Sequence, residues 1–172
     1  MMEGCVILGI RNACKALIVH DNKILLNKNQ NSIDDMCYGL QNGAIYYDFP
    51  GGGQNQYETL EEAVVRECIE ESRYTVSVEK LVAVYEEISI NEKLRKAYEE
   101  YAHKVHFVFV CKLTDTPLKP LAEGEDLDML QSEWIELENV KNMPLYPLTL
   151  RDKLPQLLTT DIPMYLGAER IE

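Results

Sequence analysis

No stretch of this 172-residue chain approaches 18 uninterrupted apolar residues, so the sequence offers no membrane-spanning helix. Basic charge is scarce as well: 17 Lys and Arg stand against 29 Asp and Glu, a formal charge of -12 at pH 7. A nucleic-acid surface works by releasing counterions through clustered Lys and Arg, so this balance excludes a broad face of that kind. A free nucleotide is still allowed, because carboxylates can hold its phosphates through a divalent cation. The five cysteines (Cys5, Cys14, Cys37, Cys68 and Cys111) form no C-x-x-C pair, which excludes the common zinc sites and a disulfide framework and suits reduced thiols. The first residues, Met1-Met2-Glu3-Gly4-Cys5, carry an acid where a secretion signal has basic residues, and the apolar run after them breaks at Arg11. The expected location is therefore cytoplasmic. No internal repeat or low-complexity tract interrupts the chain.

What is present is a globular balance of 46% hydrophobic and 27% charged residues, with enough length to bury a core as one domain over residues 1–172. Residues 13–20 and 23–27 read as two short strands around the turn signal Asp21-Asn22, and 44–49 as a third strand running into Pro50-Gly51-Gly52-Gly53. Residues 28–43 are polar and aperiodic, which predicts a loop. From Thr59 to Ser72 the apolar spacing becomes helical, and Thr59 with Glu62 three residues on forms a capping box. Residues 76–89 predict one or two strands, 91–104 a short amphipathic helix with Leu94, Ala97, Tyr98 and Tyr101 on one stripe, and 105–113 a strand. An acidic loop (114–130), a strand (133–137) and a closing helix (148–158), which Pro155 is expected to kink or end, complete the pattern.

At 100° per residue, Val64, Val65, Cys68 and Ile69 share one side of the 59–72 helix, while Ala63, Glu67, Glu70 and Glu71 gather on an adjoining one. Glu67, Glu70 and Glu71 are related by i, i+3 and i, i+4, so three like charges crowd within one turn. A divalent cation relieves the repulsion, and hard oxygen ligands suit Mg²⁺ or Mn²⁺ better than zinc. Ala63, one turn earlier on the stripe, is expected to leave room for a pyrophosphate. Cys68, on the packing side, is expected to be buried and inert. His20, His103 and His106 lack a partner at ligand spacing and receive no role.

Read from the glycines, the chain gives Gly52, five residues, Glu58, seven residues, Arg66-Glu67-Cys68, one residue, and Glu70-Glu71. This resembles the Nudix box, with Phe49-Pro50-Gly51 similar to the family's entry to it. Ordinary residue frequencies put the chance of six such fixed positions at about 10⁻⁵. The pattern departs from the family at Arg73, where a glycine is expected; a side chain in the left-handed conformation usual there costs about 1 kcal/mol. The resemblance implies an α+β fold, a mixed sheet flanked by the box helix and a C-terminal helix. It implies metal ligation by Glu67, Glu70, Glu71 and the Gly51 carbonyl, with Arg66 and Glu58 as an orienting pair. For the general base it allows Glu70, or a carboxylate of the acidic loop, where Asp128 and Glu125 are the candidates. Arg11 and Tyr47 are weaker candidates for substrate contact. The tail Met164-Tyr165-Leu166-Gly167 is similar to tails of ADP-ribose pyrophosphatases.

The function implied is Mg²⁺-dependent hydrolysis (Mn²⁺ substituting) of a nucleoside diphosphate joined to another moiety, ADP-ribose or a sugar nucleotide. The alternatives are a housecleaning hydrolase of oxidised nucleoside triphosphates, a non-catalytic nucleotide-sensing or dimerising module, and an acidic protein that buffers divalent cations. The expected partner is a small nucleotide rather than nucleic acid or membrane, with a homodimer left open.

Overall fold

The computed structural model describes residues 9–32, 38–114 and 129–171. Arg11–His20 (β1) and Lys23–Gln30 (β2) form an antiparallel hairpin. Its two-residue turn, Asp21-Asn22, has φ 47 and 61, the left-handed pair that Asp and Asn tolerate and that matches strand twist. Ile45–Asp48 (β3) and Met129–Glu136 (β6) both lie antiparallel on β2. Val76–Ser89 (β4) and His103–Leu113 (β5) pair antiparallel, β5 runs parallel to β1, and Met164–Ile171 (β7) runs parallel to β4. The sheet is thus mixed, in the order β3-β2-β1-β5-β4-β7 with β6 on the second edge of β2. Leu60–Ser72 (α1) and Leu148–Thr159 (α3) flank it, and Glu92–Ala97 (α2) sits between β4 and β5. The fold is α+β, as the box pattern implies.

Strand alternation divides the interior in two. Cys14, Ala16, Ile18, Leu25, Phe109 and Cys111 pack with Ala63, Val64 and Cys68 of α1. The residues between them, Leu17, Ile24, Leu26 and Val108, pack with Leu150, Leu154 and Leu157 of α3. Strands covered on both faces need apolar residues at successive positions, which is why β1 reads as a run rather than as alternation. No helix among the described residues is long and apolar enough to cross a membrane.

Four expectations need correction. β2 continues to Gln30, because Lys28, Asn29 and Gln30 find partners in Tyr47, Tyr46 and Ile45 of β3; polar strand residues held by ladder bonds leave no hydrophobic period to read. The 91–104 helix is shorter. Asn91 caps it through Oδ1, it ends at Ala97, and a single 3-10 turn follows at Glu99–Tyr101 with no residue of either buried, so the stripe from Leu94 to Tyr101 is not a packing face. α3 passes through Pro155 to Thr159, held by the buried Leu154 and Leu157 on either side. It does not close the chain: β7 follows as an edge strand of alternating exposure. Of the acidic loop, residues 115–128 lie outside the described residues.

Candidate active site

Residues 49–53 leave β3 and run along the free edge of β1 as a glycine strap. Ala16 N donates to Pro50 O and Cys14 N to Gly52 O, both at 2.8 Å, and Ala13 bridges to Gly53. Glycine is required at Gly51, and at Gly52 the lack of a side chain leaves room for the Glu67 carboxylate. At Gly51, with φ 131, a Cβ would stand 2.1 Å from the Cys14 carbonyl oxygen, and at Gly52 it would stand 2.6 Å from the Glu67 carboxyl carbon. The strap is therefore pressed between β1 and α1.

α1 begins at the Thr59 cap, where Glu62 N donates to the Thr59 hydroxyl at 3.1 Å and Thr59 N to the Glu62 carboxylate at 2.8 Å. Two turns on, Arg66 holds the site together. Its Nε and Nη2 donate to the two Glu58 oxygens at 2.8 and 3.0 Å, and Nη2 also to Gly53 O at 2.8 Å. Nη1 bridges Glu67 Oε1 at 2.7 Å and Glu70 Oε2 at 3.0 Å. A planar guanidinium suits this task, since its fork binds one carboxylate bidentately and still reaches others. The Arg66 hydrogen bond, above all, holds the Glu58 carboxyl below its ordinary range, and the same carboxylate raises the pKa of Arg66.

Glu71 faces the other way. Its Oε2 accepts from Gly51 N at 2.7 Å and from Asn27 Nδ2 at 2.8 Å, while Asn27 Oδ1 accepts from Ser132 at 2.8 Å. Burial dominates its electrostatics and pushes its carboxyl up to about 8, against Lys15 and these two donors, which favour the charge. Burial also raises Glu67, opposed by Arg66. Beneath the strap, the buried Lys15 ammonium donates to Asp48 Oδ2 at 3.0 Å, Phe49 O at 2.9 Å and Gly51 O at 3.0 Å.

A sequence profile of the NUDIX domain matches residues 11–156, which takes in every residue just described. The chain belongs to the Nudix family. It is similar to an ADP-ribose pyrophosphatase of Methanocaldococcus jannaschii, with 30% identity over 131 residues that span 76% of this chain and 64% of that protein. Among solved structures, an ADP-ribose pyrophosphatase of Streptococcus suis superposes with a TM-score of 0.58 at 19% identity, covering 94% of this chain and all of that one. A UDP-X diphosphatase superposes with a TM-score of 0.62 at 20% identity, covering 94% of this chain and 68% of that one. These structural likenesses carry the fold.

Of the site residues that the Nudix resemblance implies, Gly51, Glu58, Arg66, Glu67, Glu70 and Glu71 meet at the strap–α1 seam. Their carboxylates do not converge on one point, however: Glu67 and Glu70 turn to Arg66 and Glu71 to the strap. No group of three His, Cys, Asp or Glu among the described residues forms a finished metal cage. Three like charges within a turn seek cations and donors, and here the chain's own supply them. The donor chemistry still fits a hard divalent ion, since it consists of carboxylate oxygens and one carbonyl, and the desolvated Glu71 is a group whose charge such an ion would stabilise.

Ala63 is fully buried against the sheet, so it packs rather than leaving space. Cys68 is buried, with its thiol pKa raised well above the ordinary value. The Arg11 guanidinium lies against Gly53 and 4.6 Å over the Tyr101 ring. The Tyr47 hydroxyl is instead engaged with Glu133 at 3.2 Å, on the β2–β6 side. Glu125 and Asp128 lie outside the described residues. An open groove of about 620 Å³ runs along the flank of α1, lined by Val65, Arg66, Ile69, Glu70 and Val78 among others, and no strap residue borders it. Sequence reasoning missed Lys15, Asn27 and Asp48. The signal for Lys15 was available: a lysine inside the apolar run Ala13-Cys14-Lys15-Ala16-Leu17.

Proposed function

We propose that this Nudix protein is a Mg²⁺-dependent pyrophosphohydrolase acting on a nucleoside diphosphate joined to a second moiety, ADP-ribose or a sugar nucleotide. Water attacks one phosphorus, the bridging P–O bond breaks, and a nucleoside monophosphate and a phosphorylated remainder leave. The observation that carries the reading is the Glu58–Arg66 clamp. It fixes the acidic turn of α1 against the glycine strap, at distances of 2.7 to 3.0 Å through one guanidinium. Glu67, Glu70, Glu71 and the Gly51 carbonyl would hold the cation. Bound there, Mg²⁺ (or Mn²⁺) supplies charge neutralisation for the diphosphate and a lowered pKa for the attacking water. Glu70, whose side chain is 40% exposed, is the box carboxylate freest to take a proton from that water; Glu125 and Asp128 are the other candidates. The substrate is a small nucleotide, and the chain acts as one Nudix domain in the cytosol.

A Mg²⁺-dependent phosphate-release screen tests this over ADP-ribose, sugar nucleotides, dinucleoside polyphosphates and oxidised nucleoside triphosphates. The expected result is turnover of the diphosphate-linked compounds; a preference for oxidised triphosphates would instead assign a housecleaning role. Glu70→Gln and Glu71→Gln should each lower turnover about 10³-fold or more with the fold intact. Unchanged turnover in both would refute the reading.

A further inference from the structure

Three successive strap carbonyls face different partners. Pro50 O and Gly52 O accept from β1 amides, whereas Gly51 O lies between them and turns to the Lys15 ammonium at 3.0 Å. On the other side of the same residue, Gly51 N donates to Glu71 at 2.7 Å. Both polar atoms of Gly51 are thus fixed by side chains rather than by strand pairing.

Resting on the cation-dependent reading above, we propose that Lys15 is a positioning residue that fixes the orientation of the Gly51 carbonyl, the backbone oxygen assigned above to the cation. The ammonium has three hydrogens and spends all three on the entry to the strap: Phe49 O, Gly51 O and the Asp48 carboxylate. It does so at 8% exposure, on a strand whose neighbouring positions are apolar. Burying an ammonium is expensive, and an aliphatic residue would pack at this position without that cost. A carbonyl oxygen has two lone pairs, so Lys15 takes one and leaves the other for a cation. Gly51, at φ 131, has no side chain to fix its orientation; the bond from Lys15 supplies what a β1 amide supplies to its neighbours.

Asp48 decides how the test must be built. At 3.0 Å it nearly cancels the lysine charge, so the pair acts on a nearby cation through geometry more than through net charge. Lys15→Met alone would leave Asp48 unpaired and add negative charge, which obscures the effect. The decisive variant is therefore Lys15→Met with Asp48→Asn, in which neither charge remains.

Three measurements are compared with the parent protein: Mn²⁺ affinity by calorimetry, kcat and KM on the best substrate of the screen, and the melting temperature. The double variant should bind Mn²⁺ about 10-fold more weakly and lose about 30-fold in kcat, with KM for the nucleotide within about threefold. An ion pair that merely stabilises the fold would lower the melting temperature and leave Mn²⁺ affinity and kcat within about twofold, and that result overturns the inference. Should the double variant not fold, Lys15→Met alone is read in its place: the Asp48 charge it leaves can only favour a cation, so Mn²⁺ binding weaker than the parent's still reports the lost carbonyl bond, and equal or tighter binding overturns the assignment. Parent protein that binds no Mn²⁺ would sink the cation-dependent reading itself, whereas parent binding with an unchanged double variant sinks the role of Lys15 alone.

Discussion

Arg73 ends α1 at φ 64 and ψ 5, with its N–H bonded to Ile69 O at 3.1 Å. This is the left-handed cap in which the family pattern has glycine, so the departure changes the residue and keeps the backbone. A non-glycine side chain in that conformation costs about 1 kcal/mol, and Arg73→Gly should recover about that much, raising the melting temperature by roughly 2–4 °C for a chain of this size. Denaturant titration would check it; a less stable variant would mean that arginine contacts outweigh the backbone strain. Glu67, Glu70 and Glu71 were legible in the sequence because a helix converts fixed spacing into a shared face, and Glu58 and Arg66 because of the resemblance to the Nudix box. Asn27, Asp48 and Lys15 were not, since each reaches the site through pairing of strands far apart in sequence: Asn27 bonds Glu71 across 44 positions and Lys15 bonds Gly51 across 36.

Among the elements, β4 and β5 bury a polar pair. The Tyr85 and His106 rings stack at 4.5 Å and 9°, and among the described residues neither His106 nitrogen nor the Tyr85 hydroxyl has a hydrogen-bond partner. Burial chiefly, with Lys104 and Lys15 nearby, drives the His106 pKa well below its ordinary value. The folded protein therefore keeps His106 neutral, while the unfolded chain takes up a proton below about pH 6.5. Stability from this source is complete above that pH and is lost as pH falls through it, by up to about 1.4 kcal/mol per pH unit. Glu71 works with the opposite sign: its carboxyl is raised to about 8, so the stability its proton supplies is complete below the ordinary carboxyl value and is lost as pH rises to about 8. The quantity to measure is thus the difference in unfolding free energy between parent and His106→Phe. The variant should be the more stable at every pH and its advantage should widen below pH 6.5; a gap constant with pH would show His106 titrating normally. The β5 alternation was legible because one face carries Phe107 and Phe109 and the other Val108 and Val110. β7 was not. A strand at the sheet edge, with Tyr165 66% exposed and Gly167 at φ 88, buries too little to leave a period of two.

For the whole molecule, the formal charge of -12 sets the background against which any cation effect must be read. An acidic chain gains stability from added salt of any kind, because screening weakens its self-repulsion. A built site behaves differently. A ligand that binds only the folded state stabilises it by RT ln(1 + [L]/Kd), about 2.7 kcal/mol at one hundred times Kd, and does so at constant ionic strength. The strap and the acidic turn of α1 exist together only in the folded chain, since Gly51 and Glu71 meet through β1 and the sheet. Mg²⁺ should therefore raise the melting temperature beyond what NaCl of matched ionic strength achieves, and Glu67→Gln with Glu71→Gln should remove the excess while leaving the NaCl response in place. Equal shifts from the two salts in the parent protein would reduce the acidic turn to an ordinary charged surface.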